Sequence, residues 1–185
     1  MTLYINCCVR DESRTDRLAR AVLKKLGGEY TELDLYEQQL LPLDKERLNY
    51  RTALVEQGNY DDKIFDCAKQ FANADTIVIA APYWDSSFPS PLKIYIENIY
   101  VTGIVSVYDE NGMPKGLCKA EHLYYVTTAG GPYDPTYSYG YIESISKTYF
   151  GIPNTHLIKA EMLDIEGNDA EAILNAAIKN IIIQI

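Results

Sequence analysis

Residues 76–82 read TIVIAAP, an apolar run with no charge and a single hydroxyl at its start. A strand solvated on one face alternates apolar and polar residues. An unbroken run instead marks a strand covered on both faces, the condition of a parallel sheet held between two layers of helices. The fold therefore turns on whether strands and helices alternate on either side of this run.

On the N-terminal side, TLYIN at 2–6 reads as a first strand. Residues 13–26 follow with Leu18, Ala21, Val22 and Leu26 at helical spacing, until Gly27 and Gly28 stop the pattern. Alternation in YTELDL, 30–35, predicts a second strand. Helices are expected at 45–56, capped by Asp44, and at 61–72. On the C-terminal side, 91–101 carries Leu92, Tyr95, Ile96 and Ile99 on one helical face, with Pro91 suited to the first turn. Asn111-Gly112, between short runs at 105–108 and up to 117, predicts a β-hairpin. Strands are expected at 122–129 and 156–163, and helices at 139–150 and 169–183. The predicted fold is α/β: one domain over 1–185, a doubly wound five-stranded parallel sheet with a small β-hairpin insertion. Ligands of such sheets sit outside the carboxyl ends of the strands. Function is therefore expected in the loops after the first, third and fourth core strands.

Composition limits the function classes. Lys plus Arg is 17 against 26 for Asp plus Glu, a net charge of −9. Nucleic acid and anionic membranes both need a basic face, so neither is an expected partner. No apolar run approaches the roughly 18 residues of a membrane span, and the apolar start ends at Asn6, unlike a secretory leader. The expected location is the cytoplasm. Cys7, Cys8, Cys67 and Cys118 show no CxxC spacing, and His122 and His156 complete no zinc pattern, so no metal is expected. Cys7 and Cys8 point to opposite faces of an extended chain, where a mutual disulfide would be strained. They read as small, partly buried side chains.

The loop after the first strand belongs to INCCVRDESRT, 5–15. A dinucleotide fold would place GxGxxG here, yet no glycine precedes Gly27. Ser13, Arg14 and Thr15 instead bring hydroxyls and free N–H groups to a helix start, an anion site by dipole and hydrogen bonding. Arg10, Arg14, Arg17 and Arg20 outnumber Asp11, Glu12 and Asp16 around it. Ser13 reads equally as a plain N-cap, with Asp16 closing a weak capping box. The second loop, AAPYWDSSFPSPLK at 80–93, gathers Tyr83, the only tryptophan Trp84, and Phe88. Such aromatics suit a planar ring, or a core or subunit contact. The third, TTAGGPYDPTYSYGY at 127–141, joins Gly130-Gly131 to Tyr133, Tyr137, Tyr139 and Tyr141. Paired glycines mark a backbone that turns sharply or approaches something closely. An anion hole, an aromatic shelf and a glycine-backed opening at one rim fit a phosphate attached to a large planar ring, as in FMN.

Taken in order, CVRDESRT, APYWDSSFPSPLKIYIENIYVTG, the YDENG hairpin and TTAGGPY resemble the flavodoxin-like NAD(P)H oxidoreductases. Within them the nearest group is the FMN-dependent NADH-azoreductases and quinone reductases. The resemblance runs from Leu3 to about Leu163. It implies a sheet in the order 2-1-3-4-5 and a homodimer with FMN at its interface. It assigns Ser13, Arg14 and Thr15, with Arg10, to the cofactor phosphate. Pro82, Tyr83, Trp84 and Asp85 match the segment along the isoalloxazine, and Thr128, Ala129, Gly130 and Gly131 the loop at the ring's polar edge. Trp84, Phe88, Tyr133 and Tyr137 make the expected substrate pocket. The chain departs from its relatives at Trp84 or Asp85, where azoreductases carry asparagine, and at Cys7 and Cys8, where relatives carry hydroxyls. No histidine stands between His122 and His156 to pair with Tyr133.

The implied reaction is ping-pong. NADH or NADPH delivers a hydride to flavin N5, NAD(P)⁺ leaves, and a quinone or azo compound takes its place. The protein needs no nucleophile, and Tyr133 is the one candidate assist. The alternative is a flavodoxin-type carrier that passes single electrons between proteins without oxidising NAD(P)H. The acidic charge suits it; the hairpin, the extra length and the aromatic loops oppose it. A phosphorylation-dependent signalling domain would need an aspartate where Ala80-Ala81-Pro82 stand. A scaffold that has lost its flavin is the remaining reading.

Overall fold

The computed structural model describes residues 1–38 and 40–184. Its elements in chain order are β1 (Thr2–Asn6), α1 (Arg14–Leu26), β2 (Tyr30–Asp34), α2 (Lys45–Glu56), α3 (Asp66–Asn73), β3 (Thr76–Ala80) and α4 (Ser90–Ile99). There follow the hairpin strands β4 (Ser106–Tyr108) and β5 (Pro114–Gly116), then β6 (His122–Thr128), α5 (Tyr139–Ile145), β7 (Asn154–Ala160) and α6 (Ala170–Lys179). The main sheet has the order β2-β1-β3-β6-β7, and each neighbouring pair is parallel. This is the 2-1-3-4-5 order expected of the core strands. The hairpin stands apart as a two-stranded antiparallel sheet.

The central run is covered on both faces, as its composition demands. Ile77 and Ile79 join a core with Leu3, Ile5, Leu123 and Tyr125, roofed by Phe71 of α3, Leu92 and Tyr95 of α4 and Ile142 of α5. Val78 and Ala80 join a second core with Tyr4, Tyr124 and Val126, roofed by Leu18, Ala19 and Val22 of α1 and Leu174 of α6. Each large aliphatic side chain so buried contributes about 1.5–3 kcal/mol relative to exposure. Cys7 falls in the first core and Cys8 in the second, the opposite faces their adjacency predicts. All four cysteines are free thiols.

The element boundaries differ from expectation where side chains intervene. The helix expected at 61–72 divides into a 3-10 turn, Lys63–Phe65, and α3, because Asp62 Oδ1 accepts from Ile64 N at 2.9 Å and closes a separate first turn. The helix expected at 139–150 is α-helical only to Ile145 and then widens into a π-turn, Ser146–Phe150. That turn ends at left-handed Gly151 and delivers Phe150 into the core, 5.0 Å from the Phe71 ring. The last helix stops at Lys179 rather than 183. Its tail is pinned instead to the sheet and to α1, with Tyr124 Oη donating to Gln184 O at 2.6 Å and Lys25 Nζ to Ile181 O at 2.8 Å. Asp16 does not close a capping box: its carboxylate takes Tyr4 Oη at 2.6 Å and Arg20 Nε at 2.8 Å. No helix among the described residues is long and apolar enough to cross a membrane.

Candidate functional site

The strands deliver three loops to one rim by continuing their hydrogen bonding past their ends. Cys7 N donates to Ala80 O at 2.8 Å, Ala81 N to Val126 O at 3.0 Å, and Tyr83 N to Thr128 O at 3.0 Å. Tyr83 is thereby set beside Thr128, while Ala129 N bonds to Ala160 O at 2.9 Å. Between the loops lies a cleft of about 260 Å³.

Its first wall is the start of α1. Ser13 is the N-cap, its Oγ accepting from Asp16 N at 3.3 Å. The first N–H groups of a helix have no partner within it and face whatever lies at its mouth. Thr15 and Thr128 exchange a hydrogen bond at 2.6 Å between their hydroxyls, which fixes this helix end to the end of β6. Of the four arginines here only Arg10 and Arg14 line the cleft, since Arg17 pairs with Glu171 and Arg20 with Asp16 and Glu32. Arg14 pairs with Asp164, Nη2 to Oδ1 at 2.7 Å. Glu12 also lines the cleft, so two basic residues meet two acidic ones.

Pro82, Tyr83 and Trp84 form the second wall. Trp84 stands on a two-residue turn, Trp84 N to Ser87 O at 3.1 Å and Ser87 N to Trp84 O at 2.8 Å. The turn puts Asp85 at φ 50° and Ser86 at φ 64°. Two left-handed residues make the tight hairpin geometry that asparagine and glycine usually supply. The third wall is Thr128, Ala129 and Gly130. The N–H groups of Gly130 and Gly131 meet no acceptor among the described residues.

A hollow with helix-end donors, a flat aromatic side and unpaired backbone N–H groups can hold an anion joined to a planar ring. The family described as a flavodoxin-like fold matches residues 1–184. The chain belongs to that flavodoxin-like family. The FMN-dependent NADH:quinone oxidoreductase 2 of Clostridium acetobutylicum is 35% identical over 189 residues, covering 96% of this chain and 94% of the relative. The azoreductase from Bacillus anthracis shares the fold with a TM-score of 0.82 at 23% identity, over 96% of this chain and 94% of the other. An FMN-dependent NADH-azoreductase from the same organism, solved in complex with FMN, gives a TM-score of 0.77 at 23% identity, over 96% and 93%.

In this flavodoxin-like chain the expected site residues separate into three groups. Arg10, Ser13, Arg14, Thr15, Pro82, Tyr83, Trp84, Thr128, Ala129 and Gly130 line the cleft together. Asp85 and Gly131 are outside its lining, Asp85 because it forms the turn behind Trp84. Phe88 and Tyr137 line a separate apolar groove of about 590 Å³ with Ser87, Lys93 and Tyr141. The turn at 84–87 is the partition, with Trp84 facing the cleft and Ser87 the groove; Ser87 Oγ donates to Tyr137 O at 2.7 Å. Tyr133 lines neither. Its ring meets Tyr83 edge-on at 4.8 Å, and its hydroxyl is engaged by Ser138 Oγ at 2.8 Å. Burial raises its pKa, so it is a poor proton donor.

Sequence reasoning missed Val9, Glu12, Leu163 and Asp164. The last two lie in the loop after β7. The rule that ligands gather at strand carboxyl ends applies to that strand as to the others, and was the available signal. Cys7 and Cys8, beneath the cleft, are pushed up to about 12 by burial, so neither is a thiolate at neutral pH.

Proposed function

We propose that this chain is an FMN-dependent NAD(P)H oxidoreductase that reduces quinones or azo compounds, acting as one domain in a cytoplasmic homodimer. The observation that carries the reading is the single cleft in which the start of α1, Tyr83-Trp84 and the Thr128–Gly130 loop meet.

The residues present fit FMN. Ser13, Arg14, Thr15 and Arg10 would hold its phosphate, where hydroxyls, guanidinium groups and a helix end combine. Pro82, Tyr83 and Trp84 would lie along the ring. The unpaired N–H of Gly130 in the cleft lining, with that of Gly131 just outside it, would suit a carbonyl edge that gains negative charge on reduction, since preorganised dipoles cost no reorganisation when charge develops. When bound, FMN supplies the two-electron chemistry, taking reducing equivalents from NADH or NADPH and giving them to the acceptor in a separate half-reaction. The protein's own work is to bind, orient and exclude water. Trp84, at the boundary of cleft and groove, would stack flat acceptors, and Phe88, Tyr137 and Tyr141 would receive the part of the substrate that extends beyond the ring.

The other parts rest on simpler support. Tyr137 is 69% exposed and Trp84 38%, an aromatic surface beside the rim that a second copy would cover. Four free thiols suit a reducing compartment.

The test is a visible spectrum of the purified chain with added FMN, before and after anaerobic NADH. A bound flavin that bleaches with NADH and recovers with a quinone is the expected result. A bound flavin that NADH cannot reduce would favour the electron carrier. No bound flavin would return the scaffold reading to first place.

A further inference from the structure

We propose that Asp164 is a positioning residue that holds Arg14 at the phosphate end of the cleft, and that residue 130 is glycine in order to admit it. The inference rests on the FMN reading above and names a residue that the family motifs leave out.

The loop after β7 is fastened across the third wall. Met162 takes a left-handed φ of 64°, and its turn is fixed by Asn168 Nδ2 donating to Met162 O at 2.8 Å. Three backbone bonds then join the two loops: Met162 N to Gly131 O at 3.0 Å, Leu163 N to Ala129 O at 3.2 Å, and Asp164 N to Gly130 O at 2.9 Å. The backbone therefore places Asp164 over Gly130 whatever its side chain does.

The side chain completes the arrangement. A β-carbon on Gly130 would collide with Asp164 Oδ2 and stand 3.0 Å from Asp164 Cγ, and the three atoms nearest to it all belong to Asp164. Gly130 is not among the residues of positive φ, so its backbone does not require glycine. Gly131 has nothing within 4 Å of the same construction. The space that glycine leaves at 130 is thus filled by a carboxylate. That carboxylate accepts from Arg14 Nη2 at 2.7 Å through Oδ1, while Leu163 O accepts from Arg14 Nη1 at 3.3 Å. Two corners of the planar guanidinium are held by residues about 150 positions away in sequence. An arginine already ordered loses less conformational freedom when an anion binds, and its remaining donors keep one direction.

The discriminating ligand pair is FMN and riboflavin, which differ by the phosphate. The full chain and its variants are titrated with each. Asp164→Ala is expected to weaken FMN by about 2- to 10-fold, the rotamer freedom that an untethered Arg14 would then lose on binding, with riboflavin unchanged. Asp164→Asn, whose amide oxygen still accepts from Nη2, should restore most of that affinity. Gly130→Ala should lower the ratio of FMN to riboflavin affinity as Asp164→Ala does, by displacing the carboxylate, and the double variant should lower that ratio no further. Tighter FMN binding in both Asp164 variants would overturn the proposal, because Asp164 would then compete with the phosphate. Equal weakening of FMN and riboflavin would overturn it too, as a structural role only. A wild-type chain that binds neither flavin removes the FMN reading itself, a failure visible without any variant.

Discussion

The hydroxyls of Thr15 and Thr128 lie 2.6 Å apart and join the first turn of α1 to the last residue of β6. Thr15 is buried and Thr128 half-buried, so the bond stands at the inner edge of the cleft, partly shielded from water. Thr15→Val keeps the shape and strands the Thr128 hydroxyl. The expected cost is about 0.5–1.5 kcal/mol, the net worth of one hydrogen bond, read from the urea midpoint, with Thr15→Ser close to wild type. The same valine variant should weaken FMN binding, since the helix end and the Thr128 loop lose their common register.

The turn under Trp84 stores strain. Ser86 sits at φ 64° without the side-chain freedom that suits glycine to this region. Ser86→Gly relieves the clash between Cβ and backbone but adds entropy to the unfolded chain. The relief is the larger effect, so thermal unfolding should show a gain of about 0.5–1 kcal/mol. A loss would mean that the Ser86 side chain has an unrecognised contact.

The thiols should be silent in the folded protein. Cys7, Cys8 and Cys118 are each pushed up to about 12 by burial, and burial raises Cys67 as well. At about pH 8 a thiol of that kind is ionised to roughly one part in 10⁴, and the thiolate is the reactive form. Disulfide-exchange reagents should label the native chain slowly and all four cysteines at once after denaturation. Rapid native labelling of Cys7 or Cys8 would contradict the buried placement.

His122 Nδ1 and His156 Nε2 stand 3.0 Å apart with their rings within 14° of parallel. Burial first, and the neighbouring His122 second, hold His156 below its ordinary value of 6.5. The unfolded chain therefore accepts a proton that the native chain resists. This contribution to stability is complete above the ordinary value and is lost as pH falls through the lower folded value. The urea midpoint should drop between about pH 7.5 and 5.5 more steeply in the wild type than in His156→Gln. Parallel slopes in the two proteins would remove the histidine pair as the cause.

Much of the fold was legible because periodicity is local. TIVIAAP and the helical stripe of Leu18 and Val22 each state which face a short segment buries, and Asn111-Gly112 states where the chain reverses; the order of the strands came instead from the family resemblance. Two of the boundaries moved where a side chain took a backbone partner that spacing does not announce, Asp62 capping at Ile64 and Tyr124 tying down Gln184. The cleft was legible to a similar extent: residues expected at strand ends line one hollow because the strand ladders carry them there.

By itself, the sequence determined the doubly wound sheet, the opposite burial of Cys7 and Cys8 and the meeting of three loops at one rim. Tertiary structure alone decided that Phe88 and Tyr137 lie beyond a partition from the cleft, that Tyr133 turns its hydroxyl to Ser138, and that Asp164 fills the space above Gly130 to hold Arg14. The physical reason is range. Spacing along a chain encodes which way a residue faces, whereas the partner it meets there is chosen by loops that only the finished sheet brings within a few ångströms.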